Sequence, residues 1–357
     1  MAESAPGRIS VIIANYNYGA FVGQAIESAL ALDWDDVEVI VVDDGSTDDS
    51  REVIARFEDR VTVLHQENAT QRVARNRGYA VSTGDVVIHL DSDDVLFPEL
   101  PHELARVWRP GISKVQFQML RIDEDGQSLG SVFPHFREEP TPEQVRAWAD
   151  RTSAYPTPPG SGNAYSRSLL DRIFPLDDSC GAATDSACLA VAPFLGDVVT
   201  VVRPLVGYRV HGSNTSDLVV DLGKFPRAVE RARQRYEYSS RVRGVRPDAR
   251  HRPLRRSRPL LELRVASYRV RREDRPIPGE GFSRLLWDIL RSPVHTGPES
   301  ALKRAQVLTW SLLTLVSPTW LALRLVHLRF RRDRPLLVGR VFGSDAATRR
   351  PRLRTRS

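Results

Sequence analysis

The chain has 357 residues, a hydrophobic content of 41% and a formal net charge of +6. It is long enough for more than one domain, and its hydrophobic content is ordinary for a soluble globular protein. Residues 1–7 show no basic start followed by an apolar stretch, so we expect no secretory signal and a cytoplasmic location. The two cysteines, Cys180 and Cys188, are then expected to be free thiols.

The net charge hides an asymmetry along the chain. From Lys224 onward there are about 33 Lys and Arg against about 11 Asp and Glu, which leaves about 18 against about 34 before it. We therefore predict two regions with different partners. An acidic domain covers residues 8–222 after a tail at residues 1–7, and a basic, mainly helical region covers residues 223–350 before a basic tail at residues 351–357.

Apolar runs alternate with amphipathic stretches in the first 90 residues. Short runs rich in β-branched residues predict strands, and apolar residues at helical spacing predict helices. The predicted strands are residues 8–13, 37–42, 61–64 and 86–90, and the predicted helices are residues 21–32, 50–57 and 72–80. This alternation predicts an α/β fold with a doubly wound, mostly parallel sheet and right-handed crossovers.

Polar residues follow three of these predicted strands, at the edge where open α/β sheets bind their ligands. Residues 14–17 follow the first strand, and Asp43 and Asp44 follow the second. Asp91 and Asp93 stand two apart after the fourth, so both carboxylates can converge on one hard cation that bridges a diphosphate. For this last segment, a strand-ending turn with solvated acids is the alternative interpretation.

An acidic edge repels a bare diphosphate, so phosphate binding there requires a divalent cation or nearby arginines. Arg72, Arg75 and Arg77 on the third predicted helix are candidates. No Gly-x-Gly-x-x-Gly follows the first strand, and no Gly-Lys-Ser/Thr phosphate loop occurs in the sequence. These absences argue against a dinucleotide oxidoreductase and against a P-loop enzyme.

Four segments, in this order and spacing, resemble those of family 2 glycosyltransferases with the GT-A fold. They are residues 10–17 (SVIIANYN), 41–48 (VVDDGSTD), 74–78 (ARNRG) and 90–94 (LDSDD). The resemblance covers about residues 8–215, and four ordered motifs are more specific than any one alone. It implies an inverting enzyme that moves a sugar from a nucleotide diphosphate donor to an acceptor hydroxyl.

The resemblance also implies roles for the donor site. The residues expected at the donor nucleotide are Ala14, Asn15, Tyr16, Asn17, Asp43, Asp44, Arg75, Asp91 and Ser92. Ala14 departs from the Pro or Thr often found there, but this position acts largely through its backbone. Asp93 would ligate Mg²⁺ or Mn²⁺ on the diphosphate. His211, which closes the segment at residues 208–211, would be a further metal or diphosphate contact, with a packed surface histidine as the alternative.

The acceptor side is implied by two later segments. The Pro-rich residues 155–160 lead to Gly162 and Asn163, which would line the acceptor site unless this is a plain loop. Asp185, just before a predicted helix at residues 187–195, would be the general base that takes the proton from the acceptor hydroxyl. Thr184 stands where the family carries Glu, so a second carboxylate is missing. The alternative is that Asp185 only caps its helix.

Residues 305–323 carry no charge, include Trp310 and Trp320, and are flanked by Lys and Arg. Their length meets the lower limit for a membrane-spanning helix, but Pro318 and several Ser and Thr dilute the segment. We expect an interfacial or hairpin-like segment on an anionic membrane surface. A buried helix of a bundle and a true span are the alternatives.

The sequence thus predicts an inverting, metal-dependent glycosyltransferase of polysaccharide biosynthesis, acting on a glycan or lipid-linked acceptor and peripheral on the inner face of the membrane. A sugar nucleotidyltransferase is one alternative, although residues 14–19 lack the Gly-rich, basic phosphate loop with which such an enzyme would start. A non-catalytic binder of nucleotides or nucleic acid is the other. It is disfavoured because the Arg-rich half has no recognisable nucleic-acid motif.

Overall fold

The computed structural model describes residues 6–136, 138–180, 184–211, 221–271, 273–295, 297 and 299–330. These residues form one nine-stranded sheet with helices on both faces, followed by a helical region. The predicted tail at residues 351–357 lies outside the described residues, as do Arg331 and Arg332 and the first five residues of the predicted N-terminal tail.

The sheet is parallel where the sequence predicted it to be and mixed beyond. The strands are β1 (Ile9–Asn15), β2 (Val37–Asp43), β3 (Thr62–His65), β4 (Val86–Asp91), β5 (Val95–Leu96), β6 (Ile112–Ile122), β7 (Ser128–Phe133), β8 (Asn163–Ser166) and β9 (Asp197–Arg209). Their order is β3-β2-β1-β4-β8-β6-β9-β5, with β7 beside β6. The strands β1 to β4 are parallel, as are β6 and β9, whereas β5, β7 and β8 are antiparallel to their neighbours. The predicted fold class is confirmed.

Both faces of this sheet are buried, which explains why its central strands read as continuous apolar runs. The helices around the sheet are α1 (Gly19–Leu30), α2 (Ser50–Ala55), α3 (Gln71–Val81), α4 (Leu100–Val107), α5 (Pro142–Thr152), α6 (Arg167–Leu170) and α7 (Thr184–Leu195). Successive side chains of β1 point to opposite faces. Val11 and Ile13 pack with Ile26 of α1, while Ile12 packs with Ala74 of α3, and all five are fully buried.

The basic region is helical, as predicted. Its helices are α8 (Lys224–Val242), α9 (Arg252–Arg256), α10 (Arg258–Val270), α11 (Phe282–Arg291), α12 (Ala301–Val316) and α13 (Thr319–Phe330). The first of them packs on the sheet domain, because Tyr238 of α8 joins the core beneath α7 and Ser239 donates a hydrogen bond to the Ala190 carbonyl at 3.0 Å. The predicted boundary between residues 222 and 223 therefore remains a prediction, and α8 connects the two regions.

The uncharged segment at residues 305–323 is divided between α12 and α13, which are separated by Ser317 and Pro318. The two helices form a hairpin, and the indole of Trp310 donates to the Leu325 carbonyl at 3.1 Å. One face of α12 is buried through Val307 and Leu315 against α10 and α11. Within the described part of the chain, no helix combines the length and the apolar content needed to cross a membrane.

Both cysteines are buried thiols, as expected from the sequence. Cys188 lies in α7 and Cys180 lies shortly before it, and both pack in the core between this helix and the sheet. Burial raises the pKa of the Cys188 thiol to about 12, so this thiol is inert as a nucleophile at neutral pH.

Candidate active site

A cavity of about 460 Å³ lies at the carboxyl ends of β1, β2 and β4. Its walls are formed by the loops after these strands, by the start of α3 and by the end of β9. The lining residues are Ala14, Asn15, Tyr16, Tyr18, Asp44, Asn68, Thr70, Gln71, Ala74, Asp91, Ser92, Asp93 and Tyr208. Seven of the residues predicted to contact the donor or its metal are therefore brought together here, and we call this the donor cavity.

Asn15 and Asn17 hold the first loop against the loop after β2. The Asn15 amide donates to the Ser46 hydroxyl at 3.1 Å, and the Asn17 side-chain oxygen accepts from the Thr47 backbone N–H at 2.7 Å. Asn17 adopts a left-handed φ of 58°, which Asn tolerates better than most residues. These bonds hold the loop in place, with Ala14 and Tyr16 lining the donor cavity.

The two acids after β2 have different environments. Asp43 is fully buried and accepts from the Arg51 guanidinium at 2.9 Å. Burial raises the pKa of Asp43, but hydrogen bonds from Ser46, Arg51 and Asn15 together outweigh it and hold the pKa below its usual value. Asp43 is thus an ionised support of the loop, and its carboxylate does not line the donor cavity.

Asp44 does line the donor cavity. One carboxylate oxygen accepts from the Gln66 side chain at 2.5 Å and from the Ala69 N–H at 2.8 Å, and the other accepts from the Thr70 N–H at 3.0 Å. A carboxylate offers about four lone-pair positions, so the second oxygen retains capacity for one further donor. That capacity fits the N–H of a nucleobase or a hydroxyl.

Arg75 joins the donor cavity to the next part of the site. Its side chain is only 2% exposed and donates to Asp91 at 2.8 Å. Its other terminal nitrogen pairs with Asp185 in the first turn of α7. One turn further along α3, Gly78 lies so close to β1 that a Cβ there would be 2.5 Å from Ile12. The close approach of this helix places Arg75 between the two carboxylates.

The three acids at the end of β4 have different partners. Asp94 is buried, accepts from the Ser161 hydroxyl at 2.6 Å and from the Arg209 N–H at 3.0 Å, and has a pKa well above its usual range because of burial and the neighbouring Asp91 and Asp93. The Asp93 carboxylate lies 2.9 Å from the His211 ring nitrogen. The structure therefore leaves Asp93, the predicted metal ligand, facing the donor cavity beside a histidine.

The Asp93 and His211 pair fits a metal shared with a substrate, and it does not fit a closed protein site. Among the described residues, no group of three or more His, Cys, Asp and Glu is arranged to hold a metal ion. Mg²⁺ typically uses one or two carboxylates and takes its other ligands from phosphates and water. His211 is held by the rings of Phe21 and Tyr18, at 4.9 and 5.9 Å between ring centres.

Gly160 lies directly against the two carboxylates that Arg75 joins. A Cβ on this residue would be 2.9 Å from Asp185 Oδ2 and 3.1 Å from Asp91 Oδ2. The loop that carries Gly160 therefore covers the predicted general base, as a loop that positions an acceptor would. The sequence indicated this loop but did not single out Gly160, Ser161, Asp94 or Arg209, because only the folded chain brings them to the site.

Gly162 and Asn163 support that loop from below. The Asn163 amide donates to the carbonyls of Pro159 at 2.9 Å and Gly160 at 3.1 Å, and its oxygen accepts from the Lys114 amine at 2.9 Å. A Cβ on Gly162 would be 2.6 Å from Pro158, so this glycine permits contact with the loop itself. Their contact with an acceptor stays a prediction, and in this arrangement the Asn163 side chain is occupied by the loop.

The chain is similar in sequence and in fold to known proteins. Residues 10–174 match the family model described as glycosyl transferase family 2. This segment, a little under half of the chain, is similar to that family. An uncharacterized glycosyltransferase of Nostoc sp. is 34% identical over 216 residues, which are 58% of this chain and 66% of that protein. The putative glycosyltransferase EpsH of Bacillus subtilis is 26% identical over 58% of this chain and 62% of that protein, so the chain spans less than two thirds of either relative.

The fold of this domain is also found among solved structures. A mannosyltransferase from Pyrobaculum calidifontis, in complex with GDP-Man and Mn²⁺, superposes with a TM-score of 0.50. The match covers 93% of this chain and 88% of that one at 17% identity. It confirms the GT-A type fold.

The first prediction concerns Arg75. Replacement with Met leaves Asp91 and Asp185 facing each other without their cation, each with about a quarter of its side chain exposed. We expect Arg75→Met to lower the free energy of unfolding by about 2–4 kcal/mol, somewhat less than for a fully buried pair. Urea unfolding followed by circular dichroism measures it.

Arg72→Met is the matched control for this prediction. Arg72 lies one turn earlier on α3 and pairs with Asp178, whose side chain is 94% exposed. Since such surface pairs contribute about 0–1 kcal/mol, this variant should lose far less stability. Equal losses for the two variants would contradict a central role for Arg75.

Proposed function

We propose that the protein is an inverting glycosyltransferase that moves a sugar from a nucleotide diphosphate donor to a hydroxyl of a glycan or lipid-linked acceptor. The observation that carries this proposal is the Arg75 bridge. It holds Asp91 at the donor cavity and Asp185 under the loop at Gly160, so a donor and an acceptor hydroxyl would meet at one place. A binder that performs no chemistry has no need for this second carboxylate.

Asp185 is the general base in this proposal. Arg75 donates to its Oδ1 atom, which leaves Oδ2 on the side of Gly160. An acceptor hydroxyl that approaches along this loop can transfer its proton to Oδ2 as its oxygen attacks the anomeric carbon. Arg75 also prevents the carboxylate from turning away, so it positions the base without contacting the proton itself.

The leaving nucleoside diphosphate would lie in the donor cavity. We propose that Ala14, Tyr16 and Asp44 contact the nucleoside and that Asp91 and Ser92 contact the ribose or the diphosphate. Asp93 and His211 would hold Mg²⁺ or Mn²⁺. When bound, such an ion neutralises the charge that develops on the leaving diphosphate. The fold relative from Pyrobaculum calidifontis, which was solved with GDP-Man and Mn²⁺, supports this choice of ligands.

We further propose that the helical region holds the enzyme at an anionic membrane surface. Several large apolar side chains of this region are about half exposed or more, in a part of the chain that is rich in arginine. They include Trp287, Leu290, Leu313, Val316 and Trp320. Aromatic and apolar side chains beside cations are the composition that binds membrane interfaces. Leu313, Val316 and Trp320 belong to the predicted interfacial segment, which lies within the α12–α13 hairpin.

The second prediction tests the base. Asp185→Asn keeps the shape of the side chain and removes its ability to take a proton, so turnover should fall by about 10²–10⁴ while donor affinity stays near that of the wild type. Transfer kinetics and nucleotide binding are measured on the same preparation. Asp178→Asn, which alters an exposed carboxylate on the same side of the domain, should retain activity. Unchanged turnover in Asp185→Asn would leave this residue as a helix cap.

The third prediction tests the metal site. Asp93→Ala removes the carboxylate beside His211, so the gain in nucleotide affinity that Mn²⁺ provides should be lost. Calorimetric titrations of UDP, GDP and TDP, with and without Mn²⁺, measure this gain and identify the nucleotide. Asp125→Ala, at an exposed turn, is the control. If the wild type binds each nucleotide equally with and without Mn²⁺, the proposed metal role is wrong.

The fourth prediction tests the membrane surface. The protein should co-sediment with phosphatidylglycerol vesicles at low salt and more weakly at high salt, because salt screens only the electrostatic part of binding. The double variant Leu313→Ser and Trp320→Ser should weaken this binding at least several-fold by removing apolar contacts. Leu129→Ser, a similarly exposed apolar residue on β7, should not. A wild-type protein that stays in the supernatant at low salt rules the proposal out.

A further inference from the structure

Two further cavities lie beside the helical region. The first, of about 400 Å³, lies between α5, α7, α8 and α9, and we call it the inner cavity. The second, of about 380 Å³, lies between α9 and α11, and we call it the outer cavity. Arg252 and Arg256 line both, so the two cavities adjoin. Together they are lined by nine arginines and three aspartates.

The three aspartates are already paired. Asp150 lies 3.1 Å from Arg243, Asp248 lies 3.6 Å from Arg252, and the Asp288 carboxylate lies 2.6 Å from Arg264, behind the cavity wall. Six lining arginines have no carboxylate within ion-pair distance among the residues that the structure describes. They are Arg235, Arg246, Arg250, Arg256, Arg284 and Arg291.

Arg235 is the most informative of these. It is partly buried in the wall that α8 gives to the inner cavity, and the described part of the chain offers its guanidinium no hydrogen-bond acceptor. Burial, followed by the nearby Arg231, lowers the pKa of Arg235. A desolvated cation without a partner costs stability. Its retention in a cavity with an excess of cations indicates an anionic ligand.

The outer cavity shows the same excess of positive charge. Burial lowers the pKa of His295 on its wall, and Arg256, Arg258 and Arg291 lower it further. The positive field therefore extends over both cavities. Guanidinium groups bind carboxylate and phosphate through paired hydrogen bonds, which makes an arginine-lined crevice selective for these anions.

The inner cavity adjoins the acceptor side of the active site. Helix α7 carries Asp185 in its first turn, and Leu189 and Phe194 of the same helix line the inner cavity. At 1.5 Å per residue these positions lie about 6–14 Å further along the helix axis. Tyr155 and Thr157 also line the cavity, and they belong to the loop that leads to Gly160.

We propose that the inner and outer cavities bind the acceptor at a distance from the reacting hydroxyl, and that this acceptor is an anionic glycan carrying carboxylate or phosphate groups. This inference rests on the proposed function and specifies its acceptor class. A flat lipid surface fits the exposed apolar side chains of α11 to α13 but not Arg235, which is partly buried in a concave wall. The anionic groups of a chain can enter such a crevice one after another.

Calorimetry with the full-length protein in the absence of donor tests this site. The probes are a galacturonate oligosaccharide, a glycerol phosphate oligomer, neutral maltoheptaose, inorganic phosphate and phosphatidylglycerol vesicles. We expect at least one of the two anionic oligomers to bind at least about tenfold more tightly than maltoheptaose or inorganic phosphate. Arg235→Gln and Arg256→Gln should each weaken this binding about tenfold. Arg241→Gln, an equal loss of charge on the exposed side of α8, should change it less than about twofold.

Two further readouts separate folding from binding. Arg235→Gln should not lower the unfolding temperature, because it removes an unpaired and partly desolvated charge. Arg256 is exposed, so its variant still tests the site if Arg235→Gln fails to fold. The proposal is overturned if neutral and anionic oligosaccharides bind alike, if Arg241→Gln weakens binding as much as Arg235→Gln, or if only the vesicles bind.

Donor hydrolysis, measured on the same proteins, separates this inference from the proposed function. Because the inner cavity is apart from the donor cavity, Arg235→Gln and Arg256→Gln should hydrolyse the nucleotide sugar within about twofold of the wild type. Binding of an anionic oligosaccharide without hydrolysis of any nucleotide sugar would support the anion site and contradict the transferase. Hydrolysis without such binding would support the transferase and overturn the anion site.

Discussion

The placement of one buried cation between two carboxylates determines how the two halves of the active site meet. Arg75 is nearly fully buried, and its neighbours Asp91 and Asp185 come from positions 16 and 110 residues away in the chain. Burial and the nearby Asp93 raise the pKa of Asp91, and the Arg75 cation opposes this. Without the cation, two carboxylates could not both remain ionised in so confined a space. The donor cavity and the acceptor loop thus share one electrostatic support.

This arrangement depends on the parallel half of the sheet. The strands β1, β2 and β4 end at the same edge, so the acids after β2 and β4 must lie near one another. Both were predictable, since apolar runs that end in acids indicate strands and their carboxyl ends. The role of Asp43 was not, because Arg51 and Ser46 reach it only after α2 has folded back onto the strand.

The mixed half of the sheet was harder to predict because its pairings join distant segments. Strand β5 has only two residues and pairs with β9, more than a hundred residues later. That pairing delivers Arg209 to Asp94 and to the carbonyls of Asp123 and Glu124. A periodicity read along the chain carries no signal for such contacts. Only the family resemblance therefore indicated that His211 acts together with Asp93. The buried residues around the two could be identified only in the folded structure.

The sequence also could not predict which arginines of the helical region are paired with carboxylates. A count of charges predicts a basic surface, but it does not separate arginines that the fold neutralises from those it leaves open. Arg264 is buried and bonded to Glu280 and Asp288, so its charge is compensated inside the bundle. Arg235, on the neighbouring helix, is partly buried and has no such partner among the residues that the structure describes. A buried charge costs stability unless it has a partner. The contrast between these two residues, and not the total charge, therefore points to the surface at which we propose that an anion binds.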